Sequence, residues 1–272
     1  MSGVVARVVV ALDAASENRA AIGAAARLAA RWKAQLHGIF VEDDDLIRLA
    51  HLPFARQVTL GGGVEPIDVQ QAERQMQVFA ERARRDLASS AQRHGVAWSF
   101  EIVRGSAMGE LTESAGDLLV VGTTTRPIGR HFRVECRWWT AAGAGPSMRL
   151  LAHRDGDPHG AVAVLLRGQG ASSERLLTAA IRLADANDAR LTVICAPSLA
   201  KSPGFKSWLD EFLAAHAIDV DLEIMPERST LHRRITELRC RLVAVEADAE
   251  EARPERLRDM VANIACDVLV VR

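Results

Sequence analysis

The sequence predicts an α/β protein in which one strand–helix unit is repeated twice along a single chain. Apolar runs without polar alternation, beginning with Arg7–Asp13 (RVVVALD), mark strands covered on both faces, as in parallel sheets. Segments with apolar residues at spacings of three and four, the helical period, separate those runs. The strings ARLAARWKAQLHGI, from Ala26, and IRLADANDARLTVI, from Ile181, share one ungapped register. Arg27/Arg182, Leu28/Leu183, Ala29/Ala184, Ala34/Ala189, Leu36/Leu191 and Ile39/Ile194 are identical, which points to a duplicated unit.

Element by element, Ser16 offers an N-cap after the first strand, and Ala21, Ala25, Leu28 and Trp32 form a helical stripe. Leu36–Val41 reads as the second strand, completing a βαβ unit that should cross over right-handed. Glu42–Glu65 is irregular, holding the acidic run Asp43–Asp45 and the glycines Gly61–Gly63, and its length marks a functional or mobile insertion. Pro66 opens a long helix with the stripe Val69, Ala72, Met76, Phe79, Ala83 and Leu87, and Gly95 stands where a C-terminal glycine belongs. Strands follow at Val96–Val103, Asp117–Val121 and Met148–Ala152, with helices expected at Met108–Ala115 and Glu135–Ala142. The polar, turn-rich HRDGDPHG, His153–Gly160, is the linker. It divides the chain into domains at 1–153 and 160–272.

In the second copy, Gly160–Leu166 repeats the first strand and Ser172 or Ser173 caps the next helix. Strands are expected near Leu191, at Asp219–Ile224, at Leu242–Glu246 and at Val268–Val271. Helices are expected at Ser207–His216, Leu231–Leu238 and Glu255–Ile264.

With 272 residues, 49% of them apolar, each copy can bury a core. A formal net charge of −1 gives no support to a nucleic-acid-coating or membrane-surface role. The cysteines Cys136, Cys195, Cys240 and Cys266 are widely separated, with neither CxxC nor zinc-type spacing, and read as reduced buried thiols. Val8–Leu12, between Arg7 and Asp13, suits a strand rather than a signal peptide, and no apolar run approaches a membrane span. A cytoplasmic location is expected.

A buried strand ending in Asp13 before a small-residue turn, the strand endings DLLVVG (Asp117–Gly122) and CDVLVVR (Cys266–Arg272), and the twice-repeated element order together resemble the universal stress protein family in tandem form. The resemblance covers nearly the whole chain. It implies that each copy is an open five-stranded parallel sheet with helices on both faces, of the adenine nucleotide alpha hydrolase-like type. The two copies would form an intramolecular pseudo-dimer, with a further homodimer as a second level, and ATP would bind outside the carboxyl ends of the strands. The family signature G-x2-G-x9-G-[S/T], laid on the first copy from Gly122, falls on Thr125, Glu135 and Cys136, so one position matches. Glu135 would place a carboxylate where a phosphate rests. In the second copy the loop is nearly absent, and Arg167 replaces the aspartate that in the family contacts adenine.

The resemblance therefore implies a ligand site in the first copy alone, built from Asp13, Val41, Gly122, Thr123, Thr125 and Arg126. Asp13 either caps the following helix or contacts the ligand. Thr123–Arg126 with Arg130, His131 and Arg133 are either an anion clamp or solvated loop charges. RGQGASS, Arg167–Ser173, reads as a glycine-rich turn with a serine cap, with a small anion on that helix end as the separate reading. His153, Asp155, Asp157 and His159 lie in a linker and are not read as a metal site. No Ser-His-Asp order, nucleophile elbow or P-loop argues for catalysis. The expected function is a non-catalytic, stress-associated regulatory protein that senses a small ligand or docks on a partner. The alternative is an adenine-nucleotide binder, taking ATP or AMP in the first copy, with weak ATPase activity.

Overall fold

A computed structural model describes residues 5–14, 18–42, 48, 52, 54, 56–58, 62–104, 118–122, 147–153, 160–185, 189–216, 218, 220–225, 231–253, 256, 257, 260 and 266–272. In the first half, β1 (Arg7–Leu12), α1 (Asn18–Trp32) and β2 (Gln35–Glu42) form the expected βαβ unit. A short hairpin follows, β3 (Arg56–Val58) with β4 (Val64–Pro66), then α2 (Val69–His94), β5 (Trp98–Arg104), β6 (Leu118–Gly122) and β7 (Met148–Ala152). The second half holds β8 (Ala161–Leu166), α3 (Ala171–Asp185), β9 (Leu191–Cys195), α4 (Pro197–Ala200), α5 (Phe205–His216) and β10 (Val220–Ile224). It continues with α6 (Leu231–Glu237), β11 (Cys240–Glu246), a 3-10 turn at Glu250–Ala252 and β12 (Asp267–Val271).

The ten long strands make one sheet in the order β10-β9-β8-β11-β12-β7-β6-β1-β2-β5. Each half contributes five parallel strands in matching order, and the halves meet where β12 runs antiparallel to β7. Both final strands are apolar, and an apolar edge left open is an aggregation hazard that this pairing removes. Met148 pairs with Leu118, and Asp267 with Leu242, so Met148 and Asp267 hold matching places. Two residues on, Leu150 and Leu269 therefore also match, and they pair with each other. The local twofold of the sheet passes through that rung.

One apolar core runs through both halves on one face, gathering α1, α2, α3 and α5 against alternate strand residues such as Val8, Leu118, Leu150, Leu269 and Leu242. Across the seam, Arg31 of α1 donates to the Asp185 carbonyl at the end of α3 (2.9 Å), a cation at a helix C-terminus. On the opposite face, α6 supplies Leu231 and Ile235, which pack with Leu257 and Met260 on Val243, Val245, Val268 and Val270. Helices thus lie on both faces. Gly38 of β2 has no room for a side chain because α2 sits close: a Cβ there would lie 2.5 Å from Leu87 Cδ2.

Several sequence expectations are corrected. The long helix begins at Val69, not Pro66, because Asp68 is its N-cap and accepts from the Gln70 and Gln71 amides, whereas Pro66 ends β4. Ala80, not Phe79, belongs to the buried stripe of α2; Phe79 is 41% exposed. Ser172 and Ser173 lie inside the first turn of α3, after Gly170 at φ +118, instead of capping it. The stretch Glu42–Glu65 holds the β3–β4 hairpin among its described residues. Gly95 does close α2 in the left-handed conformation, φ 65. Ser16 and the helices expected at Met108–Ala115 and Glu135–Ala142 lie outside the described residues, and of Glu255–Ile264 only Arg256, Leu257 and Met260 are described, as helical.

Candidate functional site at the carboxyl edge of the sheet

Strand order reverses beside β1. From β1 the chain runs outward through α1 to β2 and β5 on one side, and β6 and β7 lie on the other. Two connections that depart to opposite sides leave a crevice outside the carboxyl ends of β1 and β6, the place where open α/β sheets take ligands. The register puts three of the expected residues there. Leu12 pairs with Phe40 and Ala11 with Val121, so Asp13 stands beside Val41, and Gly122 stands beside Leu12. Val41 and Gly122 are buried and Asp13 is partly exposed. Asn18, the first residue of α1, donates its side-chain amide to the Asp13 carbonyl (2.9 Å), tying the start of the helix to the end of the strand. Thr123, Thr125 and Arg126, with Arg130, His131, Arg133, Glu135 and Cys136, lie outside the described residues.

Glu42 follows Val41 at the same edge and is buried, with 7% exposure. Sequence reasoning assigned it to the start of the insertion and missed it. The signal was its place directly after the apolar run GIFV in the strand QLHGIFVE.

The second half repeats the crevice with different chemistry. Val8 pairs with Leu118, and Val162 with Leu242, which makes Arg167 the counterpart of Asp13 and Glu246 the counterpart of Gly122. Ser173, in the first turn of α3, donates its hydroxyl to Glu246 Oε1 at 2.7 Å, and its Oγ also lies 3.0 Å from the Gly168 carbonyl. Both side chains are buried. Arg167 pairs with Glu251 of the 3-10 turn. Arg175 donates to the Arg272 carbonyl and to Ser172 Oγ, each at 3.0 Å. A carboxylate at the head of α3 is favoured by the unpaired amides and the dipole of that helix end.

Among the described residues there is no group of His, Cys, Asp and Glu side chains able to hold a metal ion, and no helix long and apolar enough to cross a membrane.

No protein-family model matches the chain, and neither does any curated protein sequence. Solved structures do. A universal stress protein of Archaeoglobus fulgidus is 13% identical with a TM-score of 0.60, over 97% of this chain and 96% of its own. A Pseudomonas aeruginosa protein assigned as a universal stress protein is 13% identical with a TM-score of 0.60, over 98% of this chain and 93% of its own. The cytoplasmic domain of a prokaryotic cation chloride cotransporter is 11% identical with a TM-score of 0.56, over 97% and 94%. The chain has the fold of the universal stress proteins, an α/β fold with a large, mainly parallel sheet.

Proposed function

We propose that this chain, which carries the universal stress protein fold, is a non-catalytic, stress-associated regulatory protein whose first half senses a small ligand in the crevice between β1 and β6. The observation that supports this is the convergence of Asp13, Val41 and Gly122 at the point where strand order reverses. Gly122 brings backbone to the crevice without a side chain, Val41 gives an apolar wall, and Asp13 offers a carboxylate that accepts hydrogen bonds. Of these three, Asp13 alone is ionisable, which suits binding better than acid–base turnover.

An adenine nucleotide is the second reading. A carboxylate beside an apolar wall fits a heterocycle bearing an amino group, and ATP or AMP would direct phosphates toward Thr123, Thr125 and Arg126. The test is native mass spectrometry of the chain incubated with MgATP, with AMP, and with a small-molecule extract of cells. A bound mass in at least one case, lost in Asp13→Ala, supports the proposal. A chain that retains nothing, or a variant that retains the same mass, overturns it.

A further inference from the structure

The two crevices occupy matching places in one sheet, yet one has a glycine at the strand end and the other a buried glutamate. The Glu246 carboxylate accepts the Ser173 hydroxyl in the first turn of α3, at a contact spanning 73 residues of chain. The turn leading into that helix is glycine-rich, Arg167–Gly170, with Gly170 at φ +118 and nothing within 4 Å of a Cβ at Gly168 or Gly170. Such a turn opening a helix is suited to receiving an anion. Here the anion is already present, supplied by the chain.

A second buried carboxylate closes the same edge. Glu251 joins Arg167, the counterpart of Asp13, through one oxygen, while its Oε2 is buried with no hydrogen-bond partner among the described residues. An incoming phosphate would therefore meet two carboxylates, and the arginine best placed to attract it is already engaged. Removing Glu246 would leave the Ser173 hydroxyl with only the Gly168 carbonyl as acceptor and take the carboxylate away from the head of α3, the condition under which a helix end binds an external anion.

We infer that the second crevice is closed in cis: Glu246 fills the anion position at the head of α3, and Arg167–Glu251 seals the strand end beside it. The chain then offers one ligand crevice, not two, and its second half serves as the fixed partner across the seam. The count of one rests on the second reading above, in which the ligand carries a phosphate; the closure does not.

Inorganic pyrophosphate is the probe, and the backbone amide resonances of Ala171–Glu174 in the full chain are the readout, distinct from those of Val41 and Gly122. In the parent, millimolar pyrophosphate should leave the Ala171–Glu174 amides unmoved. In Glu246→Ala the same amides should shift saturably, with apparent affinity raised about tenfold or more. If Glu246→Ala loses its folded spectrum, Ser173→Ala removes the tether with a smaller change and should give the same response. Saturable shifts at these amides in the parent, or no response in the folded variants, would overturn the closure. Failure of the first crevice to bind would show only at Val41 and Gly122, so the two readings fail separately.

Discussion

His153 donates its backbone N–H to Asp267 Oδ1 at 2.7 Å, joining the end of β7 to the start of β12 across the seam. Asp267 is buried, and burial pushes its carboxyl up to about 6 from an ordinary 3.8, against the His153 hydrogen bond and the opposing pull of Arg241 and Arg27. A carboxyl whose pKa is raised by folding adds stability below its unfolded value and loses it as pH rises through the folded value. Stability should therefore fall between about pH 4 and pH 6, by on the order of 1–3 kcal/mol from this group. Asp267→Asn keeps an acceptor for His153 and removes the titration. Urea unfolding should show the variant gaining on the parent as pH rises through that window. An equal difference at pH 4 and pH 7 would count against this.

Gly160 begins the second half where two backbones nearly touch. A Cβ there would run into the Arg239 carbonyl and lie 2.7 Å from the Arg241 amide. Both atoms belong to the main chain and cannot rotate away. Gly160→Ala should cost about 1–3 kcal/mol, whereas Gly168→Ala, with open space around it, should change stability by less than ~0.5 kcal/mol. Denaturant midpoints of the two variants check this, and equal midpoints would contradict it.

Cys195, Cys240 and Cys266 are buried free thiols. Desolvation raises all three, Cys240 to about 12, and nearby Asp267 raises Cys266 further. A thiol held protonated is a poor nucleophile. In a Cys136→Ser background the native chain should modify with a thiol reagent only as fast as it opens. Rapid labelling without denaturant would show these sites to be accessible.

Much of the fold was legible in residue pattern alone. Runs such as RVVVALD and GAVAVLL mark both-face burial, and Gly95 marks a left-handed helix end, because those signals act within a few residues. The stripe of α2 was misread at Phe79 because a helix with apolar residues at both 79 and 80 has two compatible frames, and only the packed sheet chooses Ala80. Asp68 was overlooked because Pro66 looks like a helix opener until β4 claims it. In the candidate site, Asp13, Val41 and Gly122 were each legible as strand ends. Glu246 was not, because its partner Ser173 lies on another element, out of reach of any local pattern.

The seam should be energetically coupled at its central rung. Leu150 and Leu269 are 1% and 0% exposed and pair directly. Each truncated to alanine should cost about 2–5 kcal/mol. The double variant should cost less than the sum by roughly 0.5 kcal/mol or more, as expected of side chains that share one cavity. Strict additivity in the cycle would show that the rung does not couple the halves.

The central claim is that the chain receives a ligand at the carboxyl edge of its first half and nowhere else along the sheet. Calorimetric titration of the unmodified chain with AMP and with MgATP, repeated on Asp13→Ala, tests it most directly. The account predicts binding of one ligand per chain and an affinity at least about tenfold weaker in the variant, equivalent to ~1.4 kcal/mol. Two ligands per chain, or an affinity that Asp13→Ala leaves unchanged, would contradict it.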